Sequence, residues 1–322
     1  MTMRETCIAI LVATGVALLA AGCGGGDHES ASTSARQQLS GRIQADGSST
    51  VGPFTTLAAE RFQASNPNVK VTVGISGTGG GFERFCAGET DLSDASRPIE
   101  DEEQAVCDRN GVEHVEFQVA NDALTIVVNA DNDWVDCLTV DELHKMWAPG
   151  SKIESWSQVR KGFPDEPLEL FGPGTDSGTF DYFTGEINGE EGASRSDYTA
   201  SEDDNVLVRG VAGSKGALGY FGFSYYEENQ GQLKALGIDA GEGCVEPSVE
   251  TAQSGDYKPL SRPLFVYANT KSFAKPHVAA FVRYMLASAE ELATGAKFVP
   301  LTDGQLTKAK SDYNAALQKV GA

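Results

Sequence analysis

Short blocks of strand-like and helix-like hydrophobic spacing alternate along the chain from Gly41 onward. The stretch "VKVTVGI" places apolar residues at every second position, which is typical of a half-buried strand. The stretch "PFTTLAAERFQASN" places them three and four positions apart from Phe54 to Phe62, which predicts a helix, and Pro53 suits its first turn. The alternation predicts an α/β fold whose sheets are covered by helices on both faces.

The remaining blocks extend this pattern to the C-terminus. The stretch "VEHVEFQVANDALTIVVN" predicts two strands on either side of Asn121–Asp122, and Gly111 closes the acidic helix that precedes it. Thr139 and Glu142 have the spacing of a capping box and predict the start of another helix. Further strands are predicted in "GRIQADG", "DLSDASRPI", "LELF", "GALGYF" and "PLFVYANT", further helices in "GGFERFCAGE", "GTFDYFTGEI", "DDNVLVRGVA", "KPHVAAFVRYMLAS" and "TDGQLTKAKSDYNAALQKV", and a loop in "FSYYEEN".

The size of the chain allows two domains. It has 322 residues, of which 40% are hydrophobic, and this is enough for two cores. Neither an internal repeat nor a second linker interrupts the α/β pattern. We therefore expect two similar lobes joined by strands that cross between them, first near Val119–Leu124 and back near Arg262–Val266.

The N-terminus has the features of a targeting segment rather than of a fold. An apolar run of 15 residues, Cys7–Ala21, follows Arg4 and is too short to span a bilayer comfortably. The small residues before Cys23 resemble the lipobox of bacterial lipoproteins, so residues 1–22 are predicted to be a signal peptide and Cys23 to carry lipid. Residues 23–41 are rich in Gly and Ser, as a flexible tether would be. A plain secretory signal is the alternative interpretation.

Charge and cysteine content limit the partners. The formal net charge of -21 makes nucleic acid and anionic lipid surfaces poor partners, so an anion site would have to act through local dipoles and hydrogen bonds. Outside the cytosol, four cysteines suggest two disulfides, with three pairings open. No CxxC occurs and the histidines are scattered, so no metal site is predicted. The four cysteines that remain after Cys7 and Cys23 are Cys86, Cys107, Cys137 and Cys244.

Three segments share one design in which a predicted strand is followed by small hydroxyl and glycine residues and then by a helix. The free N–H groups at a helix start carry partial positive charge, and glycine lets the backbone approach a ligand closely. Three such starts in one chain predict an anion site, because a single one is only an ordinary cap. Ser96 and Arg97 follow a further strand, and Arg97 could contact an oxyanion or form a surface ion pair. The segments are "ADGSSTVGPF", "GISGTGGGFERF" and "GPGTDSGTFDYF".

Together with "DLSDASRPI" and "GVAGSKGALGYFGFSYY", these segments resemble the PstS family, the phosphate-binding proteins of bacterial ABC importers. The resemblance runs from Gly41 to the C-terminus. It implies a two-lobed type II periplasmic-binding-protein fold, each lobe a mixed sheet flanked by helices, with inorganic phosphate in the cleft between the lobes. Lobe I would comprise residues 42–120 and 262–322, and lobe II residues 121–261. The implied protein is an extracytoplasmic, membrane-anchored monomer that needs no cofactor and delivers phosphate to an ABC permease.

The resemblance also assigns site residues. Many relatives have an Asp where Ser96 stands and an Arg where Pro173 stands, so Arg97 is expected to supply the main charge. Asp176, or less directly Asp94, would accept the phosphate proton. A hydroxyl at position 96 discriminates phosphate from sulfate less well than an acid would, so sulfate and molybdate remain alternative ligands. The phosphate-binding residues implied are Ser49, Thr50, Gly77, Thr78, Ser96, Arg97, Asp176, Ser177, Gly178 and Thr179.

Two further expectations follow. Pairing Cys86 with Cys107 and Cys137 with Cys244 is favoured, because a disulfide between lobes would prevent hinge closure. A hydrolase that uses Ser177 as its nucleophile is a less favoured alternative, since "GTDSGT" lacks the Gly-x-Ser-x-Gly pattern and no histidine is placed by a motif. A sensor or adhesin that uses the same fold also stays open.

Overall fold

The computed structural model describes residues 38–175 and 177–321. The predicted signal peptide, the lipidation site at Cys23, most of the tether and the acid Asp176 lie outside the described residues. In the part that is described, no helix has both the length and the apolar character that crossing a membrane requires.

Strands and helices alternate through the described residues as the hydrophobic pattern predicts. The strands are β1 (Gly41–Gly47), β2 (Val69–Val73), β3 (Leu92–Ala95), β4 (His114–Asn129), β5 (Cys137–Thr139), β6 (Glu169–Gly172), β7 (Thr199–Ala200), β8 (Ala217–Gly222), β9 (Leu233–Ala235), β10 (Gly237–Asp239), β11 (Cys244–Val245) and β12 (Ser261–Asn269). The helices are α1 (Gly52–Ser65), α2 (Gly77–Cys86), α3 (Asp101–Asn110), α4 (Val140–Trp147), α5 (Trp156–Val159), α6 (Gly178–Asn188), α7 (Asp204–Ala212), α8 (Phe223–Glu227), α9 (Val249–Ser254), α10 (Thr270–Phe273), α11 (Pro276–Ala287), α12 (Ala289–Gly295) and α13 (Asp303–Val320).

The main sheet has the strand order β2-β1-β3-β12-β4-β8-β6-β7, with β9 paired to β4 beside this path. We call β2, β1, β3, β12 and the beginning of β4 the first half of the sheet, and the rest of β4 with β8, β6, β7 and β9 the second half. In the first half β1 runs parallel to β2 and β3, whereas β12 runs antiparallel to β3 and β4. A small separate sheet has the order β11-β10-β5.

The strand β4 connects the two halves and corrects one expectation from the sequence. Two strands were predicted on either side of Asn121–Asp122, but β4 continues through both residues. They stay in the ladder because Pro263 and Arg262 of β12 pair with them in register. From Leu124 onward β4 pairs with β8 instead. A second correction concerns "FSYYEEN", which begins with the short helix α8 rather than forming a loop throughout.

Each half of the sheet has its own hydrophobic core. Helices α1, α11 and α13 pack on the first half, where Phe54, Phe62 and Phe281 are buried. Aromatic side chains fill the second half, and the rings of Phe183 and Tyr220 stack with centroids 3.9 Å apart. Burial of apolar surface of this kind is the main stabilising term in a fold. Two cores on one continuous sheet agree with the predicted organisation into two lobes, although the exact lobe bounds stay a prediction.

The disulfides join neighbouring elements. Cys86 at the end of α2 pairs with Cys107 in α3, and Cys137 of β5 pairs with Cys244 of β11. This is the pairing favoured from the sequence. Each bridge lies within one region of the fold, and neither links α2 or α3 to the small sheet.

Candidate anion-binding site

Three helix starts follow the ends of β1, β2 and β6, as the shared sequence design predicts. The turn between β1 and α1 is hydrogen-bonded to β3, because the backbone N–H of Ser48 donates to the carbonyl oxygen of Asp94 at 2.9 Å. The hydroxyl oxygen of Ser48 accepts from the N–H of Thr50 at 3.2 Å. These bonds fix the turn that carries Ser49 and Thr50 at the N-terminus of α1.

Glycine is required where this turn crosses β3. Gly47 has a φ of 140°, in the region that favours glycine, and a Cβ there would lie 2.1 Å from the carbonyl oxygen of Asp94. No side chain fits in that space. The close crossing therefore depends on Gly47.

The turn from the first half of the sheet meets the start of α6 from the second half. A Cβ on Gly178 would lie 2.5 Å from Oγ1 of Thr50, 2.7 Å from its backbone nitrogen and 2.8 Å from Oγ of Ser49. Two predicted ligand segments, far apart in sequence, are therefore in contact. Beside them Ser177 caps α6, and its hydroxyl oxygen accepts from the N–H of Thr179 at 3.2 Å.

The other predicted site residues of the first half lie together at the start of α2. The hydroxyl oxygens of Thr78 and Ser96 are 3.1 Å apart, and the N–H of Ser96 donates to Oγ1 of Thr78 at 3.2 Å. Gly77, with a φ of 76°, opens the helix. The two hydroxyl groups form one polar edge of the cleft.

Arg97 lines the cleft, but its guanidinium group is engaged elsewhere. Both terminal nitrogens donate to Glu103, each at 2.8 Å, and Nε lies 3.2 Å from Glu100. A guanidinium group that already holds a carboxylate with two bonds has few donors left for an anion. The role predicted for Arg97 as the main charge of the site therefore stays a prediction.

The sequence argument missed a second arginine, Arg262 of β12. Its Nη2 donates to Oγ1 of Thr50 at 2.8 Å, its Nε lies 3.3 Å from Oδ2 of Asp122, and its guanidinium carbon lies 3.6 Å from the ring centre of Tyr182. The predicted return crossing begins at this residue. A basic residue at the start of an otherwise apolar strand, where the chain crosses between lobes, was the available signal.

Burial raises the pKa values of two acids near the site, Asp94 and Asp122. Asp94 is fully buried, which raises the pKa of its carboxyl group to about 7, although the hydroxyl of Thr55 donates to it at 2.8 Å and the charge of Asp46 raises the pKa further. Among the described residues, Oδ2 of Asp94 has no hydrogen-bond partner. Burial also raises the pKa of Asp122, and the neighbouring Arg262 opposes this increase.

A cavity of about 390 Å³ opens between the two halves beside these groups. Thr78, Ser96 and Arg97 line it from the first half. Tyr182, Glu186 and Glu191 line it from the second half, and Arg262 of β12 lines it as well. Lys258 also lines the cavity, which therefore combines hydroxyl donors and basic side chains with two carboxylates and suits a small anion held by directed hydrogen bonds.

Among the described residues, no histidine forms a hydrogen bond with Ser177. Nδ1 of His144 lies 3.1 Å from the carbonyl oxygen of Ile187, and Nε2 of His277 lies 3.2 Å from that of Arg42. Within the described residues, no group of three or more His, Cys, Asp or Glu side chains is arranged to hold a metal ion. The described geometry around Ser177 is that of a helix cap.

Comparison with known proteins gives consistent matches. A family model described as the PBP superfamily domain matches residues 31–290. A protein named SphX from Synechocystis is 48% identical over 280 residues, which cover 86% of this chain and 83% of that protein. The phosphate-binding protein PstS of Staphylococcus saprophyticus is 37% identical over 309 residues, which cover 95% of this chain and 93% of that protein.

Solved structures agree with these matches. The crystal structure of a possible phosphate binding protein from Planctomyces limnophilus is 49% identical, with a TM-score of 0.84, and covers 87% of this chain and 99% of that chain. An ABC-type phosphate transport receptor from Vibrio cholerae shares the fold, with a TM-score of 0.64 at 21% identity. The two-lobed architecture and these relatives together show that the chain belongs to the PstS-type family of the type II periplasmic-binding-protein superfamily.

Proposed function

We propose that this protein captures inorganic phosphate in the cleft between its two lobes and delivers it to an ABC import permease. One observation carries the proposal: the Ser49–Thr50 turn, the start of α6 at Gly178 and the guanidinium group of Arg262 meet at one place. Helix N-termini and hydroxyl groups provide donors, and an arginine provides charge, which is the set that an oxyanion requires. Relatives named phosphate-binding proteins support the choice of phosphate.

The proposed ligand contacts come from both lobes. Lobe I comprises residues 42–120 and 262–322, and lobe II residues 121–261. Closure of the lobes would bring the hydroxyl and N–H donors of both sides onto one anion. The donors and charged groups assigned to this contact are Ser49, Thr50, Gly77, Thr78, Ser96, Arg97, Asp176, Ser177, Gly178 and Thr179, of which Asp176 lies outside the described residues.

The cellular setting is part of the same proposal. A signal peptide ending at residue 22 and lipid on Cys23 would place the protein outside the cytoplasm on the cell membrane, as a monomer on a flexible tether. The two disulfides suit such an oxidising location. The protein performs no chemistry on its ligand and needs no cofactor or metal.

A pair of serine variants tests the proposal. Ser177 and Ser155 both cap a helix by accepting from the N–H two residues on, at 3.2 and 3.3 Å, but only Ser177 belongs to the proposed site. Each loses a cap in the Ala variant, at a cost of about 1 kcal/mol in stability. We expect Ser177→Ala to weaken phosphate binding about tenfold or more by calorimetry, and Ser155→Ala to leave it unchanged. Equal affinity of Ser177→Ala and the wild type, or no phosphate binding by the wild type, would contradict the proposal.

A further inference from the structure

Arg262 contacts residues of both lobes and of the strand that crosses between them. It lies on β12 directly opposite Asp122 on β4, and these are the two strands that run between the lobes. The ion pair between Nε of Arg262 and Oδ2 of Asp122, at 3.3 Å, therefore joins the hinge strands. Both side chains are nearly buried, with exposed fractions of 13% and 11%.

The same guanidinium group reaches both lobes. Nη2 donates to Oγ1 of Thr50 in lobe I at 2.8 Å. The face of the group lies on the ring of Tyr182 in lobe II, with the guanidinium carbon 3.6 Å from the ring centre. The hydroxyl of Tyr182 donates to the carbonyl oxygen of Pro259 at 2.5 Å, which fixes the ring against the segment that leads into β12.

Charge at the site also points to Arg262. The other arginine at the cleft, Arg97, has its fork occupied by Glu103 and its Nε close to Glu100. Arg262 meets Asp122 through Nε, and its Nη2 donates to Thr50. Asp181 and Glu186 also interact with it electrostatically, but neither occupies its two terminal nitrogens as Glu103 occupies those of Arg97. In a nearly dry site a cation has a strong effect on an anion, because little water screens the charge.

We propose that Arg262 is the cation that meets the bound anion, that it couples anion binding to lobe closure, and that Asp122 is its positioning residue. The proposal rests on the proposed function, and it names the residues that link the bound anion to the strands β4 and β12. In the closed state the guanidinium group contacts Thr50 and Tyr182 at once. Separation of the lobes breaks one of these contacts. An anion bound between the lobes stabilises the closed state, in which both contacts are made.

The first experiment compares two arginines of matched surroundings. Arg160 holds Glu142 with its fork and lies over the ring of Phe163, at 4.8 Å, and its described contacts include none of the proposed site residues. We expect Arg262→Gln to weaken phosphate binding by about 10- to 100-fold in calorimetry, and Arg160→Gln to leave it unchanged. Arg262→Lys keeps the charge but loses the fork, so its affinity lies between those of the wild type and Arg262→Gln. Affinity of Arg262→Gln within about threefold of the wild type overturns the assignment of the cation.

Lobe closure is measured on the same variants by small-angle X-ray scattering at saturating phosphate. We expect the radius of gyration of the wild type and of Arg160→Gln to fall when phosphate is added, and that of Arg262→Gln to stay at its ligand-free value. An equal contraction in Arg262→Gln overturns the coupling. Failure of the wild type to bind phosphate would be a failure of the proposed function and is seen before any variant is compared.

The direction in which phosphate affinity changes in Asp122→Asn tests the role of Asp122. Removing a negative charge next to an anion site strengthens anion binding if Asp122 acts only through its charge. If Asp122 positions the fork of Arg262, Asp122→Asn weakens binding in spite of the loss of a negative charge beside the site. We expect weakening, and strengthened binding overturns the positioning role.

Tyr182 provides a second pair of variants that does not disturb the buried ion pair. Tyr182→Phe keeps the ring under the guanidinium group, whereas Tyr182→Leu removes it. We expect phosphate affinity to fall further in Tyr182→Leu than in Tyr182→Phe, with thermal unfolding recorded for both. Equal affinities in the two variants contradict the contact with lobe II.

Discussion

Gly178→Ala is the substitution that tests the contact between the two lobes most sharply. Gly178 is the first residue of α6, and its backbone has no left-handed φ, so alanine is compatible with the local conformation. Alanine favours helix over glycine by up to about 1 kcal/mol. On local grounds alone the variant should be as stable as the wild type or slightly more stable.

The contact across the cleft leads to the opposite expectation for binding. The added Cβ would lie 2.7 Å from the backbone nitrogen of Thr50, and ordinary van der Waals contact begins near 3.4 Å. The two loops must therefore separate by about 0.7 Å, because a backbone atom cannot turn away as a flexible side chain can. Hydrogen bonds weaken quickly beyond about 3.2 Å, so an anion shared between the loops loses donors on one side. Two lost bonds to a charged ligand cost roughly 3 kcal/mol, or about 100-fold in affinity.

Calorimetry with phosphate and thermal unfolding of the free protein measure the two effects separately. Gly304→Ala is the matched control, because Gly304 lies in the first turn of α13 and its added Cβ would come no closer than 3.8 Å to Oγ1 of Thr302. We expect Gly304→Ala to bind phosphate like the wild type. Affinity of Gly178→Ala within about threefold of the wild type would refute the close approach of the lobes in the bound state.

Three further predictions concern charge and chemistry. The pKa of Asp94 is about 7 in the folded protein against 3.8 ordinarily, so the folded state holds this proton more tightly and its contribution to stability is lost as the pH rises through 7. Asp94→Asn removes that loss and should gain about 3 kcal/mol on the wild type between pH 5 and pH 9 in denaturant unfolding, whereas a constant difference between the two proteins would contradict the buried acid. Arg97→Gln should weaken phosphate binding less than Arg262→Gln, because Glu103 and Glu100 already hold Arg97, and calorimetry that gives the reverse order would return the main charge to Arg97. The purified wild type should release no phosphate from a monoester such as p-nitrophenyl phosphate, and turnover abolished in Ser177→Ala would support the hydrolase instead.

Much of the fold could be predicted because local signals and tertiary packing agree. The apolar spacing of α1, the capping box of α4 at Thr139 and Glu142, and the αL glycine at Gly111 all stand where the sequence places them. The disulfide pairing followed from the requirement that the lobes move. The break expected at Asn121–Asp122 failed, because polar residues typical of turns are held in β4 by the ladder with β12. Pairing with a strand so distant in the sequence cannot be predicted from the local pattern of hydrophobic and polar residues.

The site was predictable where it uses local chemistry and not where it depends on distance in the sequence. The helix starts near Thr50, Gly77 and Ser177 could be predicted from their small hydroxyl and glycine residues. Arg262 contacts Thr50, which is 212 positions away in the sequence. A basic residue at the start of an apolar strand marks Arg262 as unusual, but it does not indicate which residue Arg262 contacts. In the same way, the sequence left open whether Arg97 contacts an anion or an acid. Its ion pair with Glu103 depends on the geometry of the loop that carries Arg97.

Titration of the purified wild-type protein with phosphate, sulfate and molybdate, each by calorimetry in the same buffer, tests the central claim most directly. We predict saturable binding of phosphate with one ion per protein, and weaker binding of sulfate and molybdate. The absence of phosphate binding, or binding of sulfate or molybdate more tightly than phosphate, would contradict the assignment of this cleft to inorganic phosphate.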